Sequence, residues 1–370
     1  MAIEQLHVKG YRSVRNVRLQ TGPLTVLVGP NGCGKTNLYR ALELIAASAQ
    51  GRLARELAGE GGMPSALWAG PRGRGPVRMI LAVRVESFLY EVQCGLPTPI
   101  PGGSMFQLDP EIKEEHVWFL QGTRKTTLLE RSAGTIHARD KDGNRVTFPM
   151  ALSPSETALS ELREPERFPV LAMLREEFAS WRFYHQFRTD RDSPIRRGQP
   201  GCRTPVLGHD GHDLAAAIQT IREIGNRPAL DAAVEHAFPG SSLQVVGPET
   251  GAGFELAMQA SEFQRPFRGV ELSDGTLQYL CLLAALLSPR PPTFLALNEP
   301  ETSLHPNLLE PLARLIVAAA RNSQLWVTTH SSGLADQIVR LSGSKPIHLT
   351  KLEGETRIRD QQLDDPEEDS

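Results

Sequence analysis

The chain has 370 residues, a formal net charge of −3 and 40% hydrophobic residues, which predicts a globular protein of about two or three domains, or one core with a large insertion. No basic and then apolar signal segment opens the chain, and its longest apolar run, residues 277–287, is too short to span a bilayer. We therefore expect a cytoplasmic protein with no membrane partner. Its four cysteines form no C-x-x-C pair, which argues against a disulfide framework and a structural zinc site.

The first part of the chain is rich in short strand-like segments. Segments that alternate apolar and polar residues, or are apolar throughout, are residues 5–9, 16–20, 24–28, 79–92 and 117–148. A helix is predicted over 37–49, directly after the turn that follows residues 24–28. These segments predict a first lobe, residues 1–150, in which an N-terminal β-subdomain accompanies the start of an α/β fold.

The second part of the chain changes from helical spacing to alternating helices and strands. Helical periodicity over 155–182 and 213–238 predicts a mainly helical insertion at residues 151–265. The segments that then alternate as helix, strand, helix, strand and helix are residues 276–288, 293–297, 307–320, 324–328 and 333–341. This order predicts a C-terminal α/β lobe over residues 266–358. There is no sustained heptad pattern, so we expect no coiled-coil arms.

The last segment, residues 359–370, is predicted to be an acidic, disordered tail. Residues 360–370 contain six acidic residues and no basic one, so the rest of the chain has a formal net charge of −3 + 6 = +3. Such a mildly basic body permits a nucleic-acid partner without requiring one.

Residues 29–36, GPNGCGKT, fit the phosphate-binding pattern G-x-x-x-x-G-K-[ST] at each fixed position. The glycines let successive N–H groups point at phosphate oxygens, Lys35 supplies a positive charge for the β- and γ-phosphates, and the Thr36 hydroxyl can bind Mg²⁺. A chance Gly-rich turn is the alternative, but the strand before it and the helix after it favour an ATP site. The predicted nucleotide-binding residues here are Gly29, Pro30, Asn31, Gly32, Cys33, Gly34, Lys35, Thr36 and Asn37.

A second set of chemical residues lies in the C-terminal lobe. The sequence LSDGT (272–276) begins a predicted helix, where Ser273 and Gly275 are suited to present a hydroxyl and bare N–H groups to a phosphate. The apolar strand at 293–297 is followed by Asn298 and Glu299, and the next strand by His330. Because the carboxyl ends of neighbouring parallel strands share one crevice, Lys35, Glu299 and His330 are predicted to converge on one triphosphate.

These motifs resemble those of the ATP-binding-cassette ATPases, and among them the RecF-like and SMC-like branch. The segments that carry the resemblance are IEQLHVKGYRSVRNVRL, LTVLVGPNGCGKTNLYRAL, LSDGT, LALNEPETSLHP and WVTTHS. They cover roughly residues 1–50 and 265–340. The resemblance implies an α/β P-loop NTPase of the ABC ATPase head type, with a mixed sheet, an N-terminal antiparallel β-subdomain and a helical insertion.

The resemblance also implies roles for individual residues. Across a head-to-head homodimer, Ser273 and Gly275 would contact the γ-phosphate held by the partner's P-loop. Glu299 would polarise the attacking water, His330 would sense the γ-phosphate, and residues 303–306 would couple the two sites. Gln186 is the candidate for the Q-loop residue and a further magnesium ligand.

One residue departs from the family pattern. The Walker B aspartate that binds magnesium is Asn298 here, which keeps a carbonyl acceptor but removes a negative charge. The lost charge predicts slow hydrolysis. We expect an ATPase rather than a protein that binds nucleotide without hydrolysing it, since Thr36 and the phosphates supply other ligands and Glu299 is intact. Glu301 is expected either to assist Glu299 or to cap the helix near Asn307.

Three functions follow from these motifs. The first is an ATP-gated ATPase that acts on DNA in repair, replication-fork maintenance or defence against foreign DNA. The second is a nucleotide-switched scaffold for a protein effector. The third, the ATPase subunit of a membrane transporter, is disfavoured because about 235 residues separate the P-loop from LSDGT.

A basic stretch bears on the choice between these functions. It is interleaved with aromatic residues and comprises Arg182, Arg188, Arg191, Arg196, Arg197 and Arg203. Such a stretch can track a phosphate backbone, and a solvated loop or an arginine that acts on ATP are the alternatives.

Overall fold

The computed structural model describes residues 1–71, 75–99, 103–132, 134–148, 152–247 and 253–359. The chain divides into two compact units. Unit 1 comprises Met1–Gly22, Gly29–Trp181 and the segment from Ile347 on, and unit 2 comprises Pro23–Val28 and Arg182–Pro346. The acidic tail, apart from Arg359, lies outside the described residues.

The strands and helices are numbered in chain order. The strands are β1 (Ile3–Tyr11), β2 (Val14–Gln20), β3 (Leu24–Val28), β4 (Arg78–Val85), β5 (Phe88–Gly95), β6 (Glu111–Gln121), β7 (Arg124–Ser132), β8 (Thr135–Arg139), β9 (Arg145–Phe148), β10 (Arg182–Tyr184), β11 (Ser241–Val246), β12 (Glu255–Ala260), β13 (Phe267–Arg268), β14 (Phe294–Asn298), β15 (Gln324–Thr329), β16 (Ile347–Leu352) and β17 (Glu355–Ile358). The helices are α1 (Lys35–Ala49), α2 (Leu53–Gly59), α3 (Met63–Ala66), α4 (Ala158–Glu161), α5 (Pro169–Ser180), α6 (Leu214–Ile224), α7 (Arg227–Ala237), α8 (Asp274–Leu286), α9 (Leu309–Ala319) and α10 (Ser332–Ser342).

Unit 1 is built on an antiparallel sheet of eight strands in the order β2-β1-β4-β5-β6-β7-β8-β9. Period-2 alternation puts Leu6 and Val8 of β1 in the core, while His7 between them lies on the other face. Helix α1 contacts β1, β4 and α5, and the ring of Phe178 on α5 lies 5.6 Å from that of Tyr90 on β5. Strands β16 and β17 form an antiparallel hairpin in this unit.

Unit 2 contains a parallel sheet in the order β10-β14-β15-β3. All five residues of β14 are buried, as expected for a strand covered on both faces. Helix α9 packs on α8 and α10, and the core includes Leu280, Leu297, Leu312 and Val327. A three-stranded antiparallel sheet, β11-β12-β13, completes the unit.

The unit boundaries differ from the predicted lobes. Region 151–265 contains helices α4 to α7, but it also contributes strands β10, β11 and β12, and its first part up to Trp181 belongs to unit 1. The short strand β10 lies between α5 and α6, inside the segment that was predicted to be mainly helical. Its pairing with β14 makes it part of the parallel sheet.

Candidate nucleotide-binding site

The P-loop follows β3 and leads directly into α1. Gly34 is the N-cap residue of α1 and has a φ of 106°, and Gly32 has a φ of 77°, so both adopt the left-handed conformation that favours glycine. The Lys35 ammonium donates to the carbonyl oxygens of Gly29 and Pro30, at 2.8 and 3.1 Å. The loop is therefore folded around its lysine, and α1 begins with its N–H groups at the loop, as an anion site requires.

Gly34 is also needed because the side chain of Thr356 packs closely against its backbone. A Cβ at Gly34 would lie 2.0 Å from the hydroxyl oxygen of Thr356 on β17. The Thr356 hydroxyl is 2.8 Å from that of Ser13, which accepts a hydrogen bond from the Asn37 side chain at 2.8 Å. The turn between β1 and β2 and the β16–β17 hairpin therefore both support the P-loop within unit 1.

The carboxyl ends of four parallel strands lie side by side in unit 2. Tyr184 is paired with Leu297, Asn298 with Thr328, and Thr329 with Val28. A segment that carries part of the predicted site follows each of these strand ends. Gln186 follows β10, Glu299 follows β14, His330 follows β15, and the P-loop follows β3. Gln186 is exposed, which leaves its side chain accessible at this edge of the sheet.

Asn298 is fixed by two side chains at the end of β14. It is 2% exposed, its Oδ1 accepts a hydrogen bond of 2.7 Å from the Thr328 hydroxyl, and its Nδ2 lies 2.6 Å from Nδ1 of His185. One lone pair of Oδ1 remains beyond the bond from Thr328. The amide thus retains an acceptor that can bind a cation, but it brings no charge.

Glu299 and His330 meet at the neighbouring strand ends. Glu299 has a φ of 49°, uncommon for a residue with a side chain, and its N–H donates to the Thr328 carbonyl at 2.8 Å. Its Oε2 lies 3.6 Å from Nδ1 of His330, whose side chain is 41% exposed. The predicted catalytic carboxylate and the predicted γ-phosphate sensor are therefore side by side, held on a strained backbone.

Glu301 has a role that the sequence analysis did not predict. Its Oε1 accepts hydrogen bonds from the Thr329 hydroxyl at 2.6 Å and from the N–H groups of His330 and Ser331 at 3.1 and 3.2 Å. The expected cap near Asn307 is wrong, because the N–H of Asn307 donates instead to Nδ1 of His305. Glu301 lies two residues after Glu299, and its charge was the only feature of the sequence that pointed to a role at the site.

The signature segment begins helix α8 and contacts the segment after β14. Ser273 is an exposed N-cap residue that accepts from the Thr276 N–H at 3.1 Å. A Cβ at Gly275 would lie 2.6 Å from the carbonyl oxygen of Ser303, a residue with a φ of 67°. Glycine at 275 therefore lets the signature and residues 303–306 pack closely within unit 2.

The basic stretch is largely neutralised by nearby carboxylates. Arg188 lies 2.8 Å from Asp190, Arg197 lies 3.6 Å from Asp192, and Arg203 lies 3.3 Å from Glu223. These pairs support the alternative of a solvated loop for those three arginines. Arg196 differs from them because its side chain is 8% exposed.

Two protein-family models match the chain. One, described as "AAA domain, putative AbiEii toxin, Type IV TA system", matches residues 158–336, and one described as "AAA ATPase domain" matches residues 1–62. The second contains the P-loop, and the first contains the signature, Glu299 and His330. Over 43 residues the chain is 46% identical to the OLD nuclease of Thermus scotoductus, a match that covers 12% of this chain and only 8% of that protein.

The fold is similar to that of SMC heads. The SMC head bound to the C-terminal winged-helix domain of ScpA gives a TM-score of 0.57 at 15% identity over 97% of both chains. An SMC head with an extended coiled coil, bound to the C-terminal domain of ScpA from Pyrococcus furiosus, gives 0.52 at 15% identity over 96% of this chain and 95% of that one. These findings confirm the resemblance to SMC-like and RecF-like P-loop ATPases and the α/β ATPase fold. Within the described ranges, no helix has both the length and the apolar character to cross a bilayer.

Proposed function

We propose that this protein binds Mg·ATP and hydrolyses it slowly, at composite sites formed by a head-to-head homodimer. The observation that carries this proposal is the row of four parallel strand ends in unit 2. It holds Asn298, Glu299 and Thr329-His330 at neighbouring ends, and the fourth end leads into the P-loop. Ligands of open α/β sheets bind at such carboxyl ends, which supports one shared triphosphate.

The proposed chemistry assigns one task to each group. The P-loop N–H groups and Lys35 would bind the phosphates, Glu299 would accept a proton from the attacking water, and His330 would contact the γ-phosphate. Ser273, exposed at the start of α8, would meet the γ-phosphate held by the second copy, because its hydroxyl and the first N–H groups of the helix suit an anion.

The proposed magnesium ligands are oxygen groups, which are the ligands that Mg²⁺ prefers. They are the Thr36 hydroxyl, the Asn298 amide and the Gln186 amide, together with phosphate oxygens. When bound, the ion would neutralise charge on the phosphates. Because Asn298 brings no negative charge and its amide already contacts Thr328 and His185, we propose weaker metal binding and slower turnover than an aspartate would give.

DNA is the proposed macromolecular partner. The OLD protein that matches over 43 residues is named a nuclease, and the body of the chain without the tail is mildly basic. The scaffold for a protein effector is the second candidate. It is favoured by Asn298 and by the two SMC heads, which are both bound to ScpA. A transporter subunit stays disfavoured because of the spacing between the P-loop and the signature.

The first test is phosphate release by the purified full chain with Mg·ATP. We expect Glu299→Gln to reduce release at least about 100-fold, because it removes the proposed base, while the Kd for ATP stays within about twofold. Glu353→Gln is a matched control, since Glu353 has the same φ of 49° but lies in the turn between β16 and β17. Equal hydrolysis by wild type and Glu299→Gln would contradict the proposed mechanism.

A further inference from the structure

A histidine follows β10 next to the asparagine that ends β14. The parallel pairing puts Tyr184 opposite Leu297, so His185 comes beside Asn298 at the ends of the two strands. His185 is exposed, whereas Asn298 is buried, and Nδ1 of the ring lies 2.6 Å from Nδ2 of the amide. Both residues belong to unit 2. The imidazole is therefore an accessible nitrogen group in direct contact with a proposed magnesium ligand.

The hydrogen bonds of Asn298 show the form of this imidazole. The amide oxygen accepts from the Thr328 hydroxyl at 2.7 Å, so the amide nitrogen is the atom that faces His185. An amide nitrogen only donates hydrogen bonds, and Nδ1 therefore accepts with its lone pair. An imidazole nitrogen with its lone pair available is the form that binds metal ions in proteins.

The Asn298 amide can exchange its two ends without losing a partner. After a half-turn, Nδ2 would donate to the Thr328 hydroxyl, which can accept as well as donate, and Oδ1 would lie against Nδ1 of His185. Two lone pairs brought together in this way repel each other unless a positive ion lies beside both. The two side chains are thus suited to hold a cation in place of the hydrogen bond that joins them.

This pair of donors differs from a magnesium site in its nitrogen. Mg²⁺ takes oxygen ligands, whereas imidazole suits divalent transition metals. Within the described ranges, no three His, Cys, Asp or Glu side chains are grouped to hold a metal ion. The ion therefore needs further oxygens, which the phosphates of a nucleotide would supply.

We propose that His185 is a ligand of the metal that accompanies ATP, and that the site binds a divalent transition metal such as Mn²⁺ in preference to Mg²⁺. This inference deepens the proposed function and rests on it, because it concerns the same metal. It adds a second reason for slow turnover with Mg²⁺, since that ion leaves the imidazole unused.

The ligand is tested without turnover, on the full chain with Mn²⁺ and a non-hydrolysable ATP analogue. Electron spin echo envelope modulation detects nitrogen bound to Mn²⁺, and labelling the protein with ¹⁵N-histidine separates imidazole from adenine nitrogen. We expect a histidine coupling in wild type that is absent in His185→Gln, a substitution at an exposed position. A wild type without the coupling, or a variant that keeps it, would overturn the proposal.

The chain offers a matched control in a second histidine and asparagine pair. Nε2 of His7 on β1 lies 2.8 Å from the amide oxygen of Asn16 on β2, in the eight-stranded sheet of unit 1. His7→Gln therefore removes an imidazole from an asparagine without touching His185. It should keep the Mn²⁺ coupling of wild type, and loss of the coupling in this variant as well would reject the assignment to His185.

Metal preference is measured by calorimetric titration of the analogue with each ion. We expect wild type to bind the Mn²⁺ complex at least about tenfold more tightly than the Mg²⁺ complex, because only Mn²⁺ would use the imidazole. His185→Gln should lower this ratio of Kd values at least about fivefold, since the glutamine oxygen suits both ions. Equal ratios in wild type and His185→Gln would contradict the preference.

The outcomes separate this inference from the function on which it rests. If wild type binds the analogue with neither ion, the proposed function fails and the inference fails with it. If the analogue binds with both ions but no histidine coupling appears, the ATP site stands and only the role of His185 is wrong.

Discussion

At the scale of single residues, Asn298 determines how much negative charge lies beside the proposed metal. We expect Asn298→Asp to raise phosphate release by roughly tenfold, because a carboxylate binds Mg²⁺ more tightly than an amide does. The substitution fits the site: one oxygen would still accept from Thr328, and the other would face Nδ1 of His185, which can carry a proton.

The measurement is the steady-state rate at saturating Mg·ATP. Asn226→Asp is the control, because Asn226 is the N-cap residue of α7 and aspartate serves equally well there. If Asn298→Asp leaves the rate unchanged, the missing charge does not limit hydrolysis, and the slow turnover that we propose loses its basis.

The residues that the sequence predicted and those that it did not differ in one respect. The predicted residues belong to local patterns, whereas the others depend on partners that are distant in the chain. The P-loop was recognised because its whole pattern is local, and Glu299 and His330 because each ends an apolar strand. Thr356 and Ser13 are 343 residues apart, and Thr329 and Glu301 are 28 apart. Such contacts depend on which strands become neighbours, which no local pattern encodes.

At the scale of elements, the strand and helix segments around the site were predictable, but the connection between the signature and the loop after β10 was not. The buried guanidinium of Arg196 provides this connection. Its acceptors are the carbonyl oxygens of Thr189, Asp190, Gly269, Val270 and Leu272 and the carboxylate of Asp274. In the sequence, Arg196 looked like one member of a basic stretch, because its burial depends on a segment about 75 residues away.

We expect Arg196→Ala to lower the free energy of unfolding by about 3 kcal/mol or more, because buried carbonyl groups lose a charged donor. Phosphate release should fall as well, since the start of α8 loses its support. Urea unfolding and a phosphate assay measure the two effects. Arg203→Ala is the control, because Arg203 is 65% exposed and its pair with Glu223 is a surface pair. Equal stability of the two variants would show that Arg196 does not support the signature.

At the scale of the whole molecule, the order of elements along the chain was predictable, but their division into units was not. Residues Pro23–Val28 belong to unit 2 although the chain on both sides of them belongs to unit 1. A composition shift or a flexible linker marks a boundary between sequential domains, whereas here a single strand crosses into another unit by pairing with β15. The sequence carries no such boundary signal at residues 22 or 29.

The proposed homodimer belongs to this scale as well, because it would bring the exposed Ser273 of one copy to the triphosphate held by the other. We expect Glu299→Gln to sediment as a dimer with Mg·ATP and as a monomer without it, since trapped ATP would join each P-loop to the partner's Ser273. Ser273→Arg should bind ATP yet remain a monomer, because a bulky side chain would block the contact. Ser242→Arg, on an exposed position of β11, should still dimerise.

Adding DNA to the same experiment separates the two candidate partners. If the dimer creates a DNA surface, duplex or single-stranded DNA should co-sediment with Glu299→Gln only in ATP, and binding should weaken steeply with salt because phosphate contacts release counterions. A dimer that binds neither DNA would favour the protein effector. A monomer at saturating ATP would contradict the composite site itself, since Ser273 would then have no second P-loop to meet.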